Sequence, residues 1–228
     1  RTVLARYGYD AAGDLAQVAD ATGQIVRRFA YDEGRRMTMH ELPTGLRSHY
    51  EWTELEGPRG KEWRAARYRS ELGDEYRFDY DLAAGLTVAT DGLGRRVERE
   101  WDAGYRIVRH TDALGHTWRF EWNDEGQVLG AVDPLGGRWR CSYDASGNLA
   151  GETDPLGRTE SGTWLEFASL PLTEVDAAGR AWRYVYDPRG NCVAEVDPLG
   201  QRTVYAHGPR GEVVRVTDAA GRHTQLRW

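Results

Sequence analysis

Between Asp91 and Gly221 a turn with aspartate three residues before glycine recurs in seven successive units, and the glycines of those turns lie 21 residues apart, once 22. The pairs are Asp91 with Gly94, Asp112 with Gly115, Asp133 with Gly136, Asp154 with Gly157, Asp176 with Gly179, Asp197 with Gly200 and Asp218 with Gly221. A looser register precedes them at Asp20 with Gly23, then at Gly45 and Gly73, so about ten units fill the chain. A repeat of this length is one supersecondary unit that cannot bury its own apolar side, which restricts the chain to an array of units leaning on their neighbours. Little sequence remains for anything else, and residues 1–228 read as a single array.

Each unit holds a second turn, as in YDAAG (Tyr9 to Gly13), YDASG (Tyr143 to Gly147) and YDPRG (Tyr186 to Gly190). Aspartate at the first position accepts backbone hydrogen bonds, proline presets φ at the second and glycine suits the fourth, the signature of a type I β-turn. Two turns per unit leave two runs of about six residues, which is strand length. The runs alternate: in WRFEW, Trp118, Phe120 and Trp122 share one side while Arg119 and Glu121 share the other. The expectation is an all-β fold of tandem β-hairpins, about twenty antiparallel strands in a sheet close to 100 Å wide. Strand twist accumulates over such a width, so the sheet is expected to curl into a spiral wall, a cocoon or shell segment.

Nine Trp and twelve Tyr stand against four Phe, an unusual balance. Successive units place Tyr80, Trp101, Trp122, Tyr143, Trp164 and Tyr186 at equivalent positions, followed by His207 and Trp228. These are expected to stack as an aromatic column, each pair contributing roughly 0.2–1 kcal/mol.

Composition excludes several classes. Hydrophobic residues make up 40% and the mean hydropathy is -0.69, against a thick apolar core. No apolar run approaches the ~20 residues of a membrane span, and the N-terminus carries no signal-peptide pattern. Net charge is -6, with 29 Arg and one Lys, Lys61, dispersed among 36 acids, which argues against a nucleic-acid surface. Two cysteines, Cys141 and Cys192, make neither a disulfide framework nor a Cys-built metal site. His110 and His116 flank one turn and are candidates to share a metal, but no third ligand accompanies them. The spaced aspartates lack the clustering that calcium needs, no phosphate loop is present and nothing resembles a nucleophile elbow. Turn chemistry accounts for the acids, so no catalytic, cofactor or metal residue is assigned.

The strings YDASGNLAGETDPLGR and YDPRGNCVAEVDPLGQRTVYAHGPRGEV resemble the YD repeats of the Rhs family of bacterial polymorphic toxins, with relatives in the B and C components of insecticidal Tc toxins and in teneurins. The resemblance covers almost the whole chain. It implies a β-sheet cocoon that encloses a C-terminal toxin until delivery, in many bacterial members through a type VI secretion spike, in competition between bacteria. It also implies partners: the rest of the same polypeptide, the enclosed toxin, and spike or adaptor proteins. The localisation implied is that of an effector made in the bacterial cytoplasm and then secreted or delivered. The family's P-x4-D-P-x-G-L self-cleavage motif is not matched, since Pro171, Asp176 and Gly179 are accompanied by Ala177 for Pro and Arg180 for Leu. No sequence after Trp228 encodes a toxin, so the chain reads as a fragment of a longer polypeptide.

One segment breaks the rhythm: about seven residues are added within 53–62, around TELEGPRGKEW, an insertion at a turn that reads either as a loop offering a contact point or as a longer hairpin. Three functions remain: a non-enzymatic shell wall, which the repeat favours; an adhesion or carbohydrate-binding surface using exposed Trp and Tyr; and an enzyme hidden in the irregular segment, which is too short for one.

Overall fold

The computed structural model describes residues 4–166 and 168–228, and every described residue outside turns and connections belongs to a β-strand. The chain is all-β, built of tandem antiparallel hairpins. It divides into two compact units, residues 1–118 and 119–228.

In the first unit the strands are β1 (Ala5–Tyr9), β2 (Leu15–Asp20), β3 (Ile25–Tyr31), β4 (Met37–Glu41), β5 (Arg47–Gly57), β6 (Gly60–Ser70), β7 (Glu75–Asp81), β8 (Leu86–Asp91), β9 (Arg96–Trp101) and β10 (Ile107–Thr111). Each pairs antiparallel with the strand before and after it in sequence, a meander from β1 to β10. Of the two readings of segment 53–62, a loop or a longer hairpin, the structure has the longer hairpin. Past a register shift between Glu51 and Trp52, β5 and β6 pair residue for residue from Trp52↔Ala65 out to Gly57↔Gly60, with Pro58 and Arg59 at the tip.

In the second unit the meander comprises β11 (Thr117–Trp122), β12 (Val128–Val132), β13 (Arg138–Tyr143), β14 (Leu149–Thr153), β15 (Thr159–Trp164), β16 (Pro171–Val175), β17 (Ala181–Tyr186), β18 (Cys192–Val196), β19 (Arg202–His207), β20 (Val213–Thr217) and β21 (His223–Gln225). Six-residue strands bearing the aromatics alternate with five-residue strands bearing the aliphatics, except at the terminal β21. The register slips by one residue at a fixed place, just before the last aromatic of each six-residue strand: between Glu121 and Trp122, Ser142 and Tyr143, Thr163 and Trp164, Val185 and Tyr186, and Ala206 and His207. A bulge repeated at one position per hairpin is a built feature that bends the strand and re-aims its backbone.

Among the described residues only Leu82, Val88, Ala89 and Ala194 are buried apolar side chains, and no large side chain is fully buried. Among the described residues the strand-to-strand contacts within each unit are between strands adjacent in the sheet, so hydrogen-bonded ladders and same-side neighbours hold each sheet. The low apolar content of the sequence is the counterpart of this architecture.

Candidate functional site

The repeat turns are three-residue hairpin loops. In Asp154 to Gly157 the Gly157 N–H donates to the Asp154 carbonyl at 3.0 Å, and the Asp154 N–H donates to the Arg158 carbonyl at 2.9 Å. That is a type I turn closed by a left-handed residue, the G1-bulge hairpin. Gly157 has φ +80°, and a Cβ there would meet no atom within 4 Å, so only backbone conformation demands glycine.

The aspartate side chain completes the loop. Asp154 Oδ1 accepts the N–H of Leu156 and of Arg158, both at 2.9 Å, while Arg158 Nε donates to Oδ2 at 2.6 Å. The same backbone pair closes the six sister turns, in which the glycine N–H donates to the carbonyl of Asp91, Asp112, Asp133, Asp176, Asp197 or Asp218. Their glycines all take the left-handed backbone: Gly94 at φ +80°, Gly115 and Gly136 at +87°, Gly179 at +77°, Gly200 at +79° and Gly221 at +78°. At Gly94, Gly115, Gly136 and Gly200, as at Gly157, a Cβ would meet nothing within 4 Å, so these glycines stand just past the two central turn residues as closures and line no site.

Arginine clamps the turn carboxylate at Asp91, Asp176 and Asp218 as well; at Asp112 the partner is His116, with Nδ1 and Oδ2 3.0 Å apart. His116 is thereby engaged within its own turn, His110 lies on β10, and no group of three metal-ligating side chains occurs among the described residues. The Asp176 to Arg180 segment, where the self-cleavage motif would fall, has the same turn bonds as its neighbours.

The aromatic positions hold the hairpins together by their polar tips. Tyr143 Oη donates to the Val128 carbonyl at 2.9 Å, Trp164 Nε1 to Leu149 at 2.8 Å, Tyr186 Oη to Pro171 at 2.9 Å, and His207 Nε2 to Cys192 at 2.7 Å. Trp228 bonds Val213 likewise at 2.8 Å, and in the first unit Trp52 bonds Met37 at 2.7 Å and Tyr80 bonds Ala65 at 2.8 Å. The ladder explains the target. Pairing between β12 and β13 reaches only Gly130↔Arg140, and beyond that end of the ladder the Tyr143 tip reaches back to the Val128 carbonyl. Phenylalanine cannot do this, which favours Tyr or Trp at these positions.

The expected ring stacking is absent where it can be followed: among the described residues Tyr143, Trp164, Tyr186 and His207 form no close ring pair with one another. Trp101 is the variant, donating from Nε1 to Thr87 Oγ1 at 3.2 Å with its ring 5.0 Å from Tyr105, and Trp122 ends β11 at the equivalent bulge. Ring contacts proper run through Tyr50, Tyr68, Tyr76 and Phe78, a row on β5 to β7 that the repeat register did not single out.

The β5–β6 tip docks on later turns of its own unit. Arg59 hydrogen-bonds the Ala103 carbonyl, and the guanidinium groups of Arg59 and Arg64 lie 4.9 and 5.1 Å from the Tyr105 ring centre. Tyr105 Oη donates to Glu62 Oε2 at 3.1 Å. Tyr105 occupies the turn position where other repeats have glycine, and it holds φ +61°.

The RHS repeat family matches residues 9–47, 101–138, 122–159, 170–202 and 186–223, together well over half of the chain. The chain belongs to the RHS repeat family. Among curated proteins, this RHS chain is 38% identical over 103 residues to double-stranded DNA deaminase toxin A of Burkholderia cenocepacia, a match covering 45% of the chain and 7% of that protein. It is 28% identical over 145 residues to toxin protein Tse5 of Pseudomonas aeruginosa, covering 46% of the chain and 11% of that protein. The chain thus spans about a tenth or less of these relatives' length. Among solved structures, the TcdB2-TccC3 crystal structure superposes with a TM-score of 0.58 at 16% identity, over 94% of this chain and 14% of that one. The Tc holotoxin pore of Photorhabdus luminescens gives 0.54 at 13% identity, over 94% and 15%. At such identities the likeness is one of fold.

Proposed function

We propose that this RHS array is a wall segment of a bacterial toxin polypeptide, that it encloses a C-terminal toxin domain until delivery to a target cell, and that it performs no catalysis itself. The observation that carries the reading is the commitment of the repeat residues to the wall: turn aspartates serve loop amides and arginines, and column tips serve backbone carbonyls. Two toxins among its relatives support the same direction. A wall built this way extends by one hairpin at a time without needing an interior core of its own. Delivery as a secreted effector, with type VI secretion as the route, follows from the same reading.

The adhesion or carbohydrate-binding alternative needs free aromatic faces. The column rings are half-buried with their tips engaged, which favours the wall. The test is limited proteolysis of the full-length polypeptide. The segment C-terminal to the repeats should survive protease while the array is intact and become digestible once the array is disrupted. Equal digestion in both states would overturn enclosure, and a catalytic product made by the repeats alone, lost on substitution of a repeat residue, would overturn the non-enzymatic assignment.

A further inference from the structure

The two sides of the second unit's sheet differ in charge. Register carries Cys141↔Glu152↔Glu160 across β13 to β15, Gly162↔Glu174↔Trp182 across β15 to β17, and Tyr184↔Glu195↔Thr203 across β17 to β19. Opposed residues share a side, so Glu152, Glu160, Glu174 and Glu195 stand together, and the strands of this unit place no Lys or Arg beside them. The other side carries Arg119, Arg138, Arg140, Arg183, Arg202 and Arg215 against one acid, Glu121.

Three acids of this unit's turns are neutralised, Arg158, Arg180 and Arg222 each pairing with a turn aspartate. None of the four glutamates has an ion pair among the described residues. Glu152 and Glu160 are directly cross-strand, an arrangement that destabilises a sheet. Glu174 accepts Tyr184 Oη at 2.7 Å and Glu195 accepts Tyr205 Oη at 2.9 Å. Burial first, then these neighbouring carboxylates, pushes both tyrosine hydroxyls up from their usual range, as a negative surface should. The same glutamates and Asp176 line a trough of about 450 Å3 with Trp164, Trp182 and Tyr184, and the chain's own Arg180, paired with Asp176, lies 5.9 Å from the Trp182 ring centre, a guanidinium already placed over that ring. Carboxylates beside half-buried aromatic rings suit guanidinium groups, which pair with the first and stack on the second.

We propose that this side of the second unit is a docking surface for an arginine-rich polypeptide segment, held by Glu152, Glu160, Glu174 and Glu195 and stacked on the rings of the trough. The assignment follows from charge complementarity and does not depend on the enclosure reading. A bound guanidinium-bearing segment would cancel the repulsion that the free sheet leaves in place.

Fluorescence anisotropy at low salt with labelled Arg-Gly-Ser, Lys-Gly-Ser and Glu-Gly-Ser repeat peptides tests it on this chain. The arginine peptide is expected to bind most tightly and the glutamate peptide not at all. The combined variant E152Q/E160Q/E174Q/E195Q is expected to lose roughly tenfold or more in affinity, E121Q to change it less than about twofold, and W182A to narrow the preference for arginine over lysine. Unchanged affinity in the fourfold variant, binding of the glutamate peptide, or comparable binding of anionic vesicles or DNA would overturn the proposal. Carbodiimide labelling of the unaltered protein needs no variant: the arginine peptide should protect Glu152, Glu160, Glu174 and Glu195 and leave Glu121 reactive, and equal reactivity at all five would overturn it.

Discussion

At Asp154 one residue makes five hydrogen bonds: its backbone takes part in two, and its carboxylate accepts two amides and an arginine. This concentration makes the turns acid-sensitive. Arg180's side chain and its N–H hold the Asp176 carboxyl below the usual carboxylate range, and Asp102, Asp144, Asp187 and Asp218 are lowered chiefly by the side chains of Arg106, Asn148, Asn191 and Arg222. A carboxyl whose folded pKa lies below its unfolded value, about 4, adds stability fully present above that value and lost as pH falls through the folded one. Melting followed by circular dichroism should therefore vary little between pH 7 and about 5 and drop below about pH 4; an undiminished melt at pH 2 would contradict it. A column tip is tested at Tyr186, where Tyr186→Phe keeps the ring and removes the bond to Pro171. The expected cost is about 0.5–1.5 kcal/mol by denaturant unfolding, and no cost would mean the carbonyl does not need the tip. Leu156, the apolar residue of the DPLG turn, is 78% exposed, so Leu156→Ala should change stability by less than about 0.5 kcal/mol.

At the scale of the element, the hairpin was legible because its signals are local. Asp-Pro-Leu-Gly names its own turn, and alternation in WRFEW names its own strand. Two features were not legible, each for a physical reason. The tip-to-carbonyl bonds depend on a register slip beside each column residue, and no residue type marks a bulge. The added residues at 53–62 left loop and longer hairpin both open, because added length alone does not say whether it pairs, and TELEG and GKEWR extend the ladder already started by β5 and β6. That extension is tied down by Tyr105, whose left-handed backbone costs about 1 kcal/mol that a glycine would spare. Tyr105→Gly should relax the turn but release the tip. Hydrogen exchange is expected to quicken in Thr53 to Glu62 while β1 and β2 keep their protection, and an unchanged tip would show that Tyr105 does not hold it.

At the scale of the whole molecule, stability has to come from neighbours, since among the described residues strands pack on the strands beside them, the β5–β6 tip on Tyr105 excepted, and few apolar side chains are buried. Damage in such an array stays near its source, because no shared core carries it further. Gly157→Val separates this from a conventional domain. A Cβ at the site would meet no atom within 4 Å, so the substitution acts chiefly through φ and should cost about 1–2 kcal/mol of backbone strain. The loosened β14–β15 loop adjoins the ladders that end at Tyr143 and Trp164, so amides of those strands should exchange faster. The Tyr9 to Tyr31 repeat, many hairpins away in sequence, should keep its protection. In a domain folded around one core the same substitution lowers protection everywhere by the same free energy, as two-state unfolding requires. Uniform loss across both regions would therefore refute the nearest-neighbour account of the array, and a graded loss falling off from Gly157 would establish how many hairpins one turn supports.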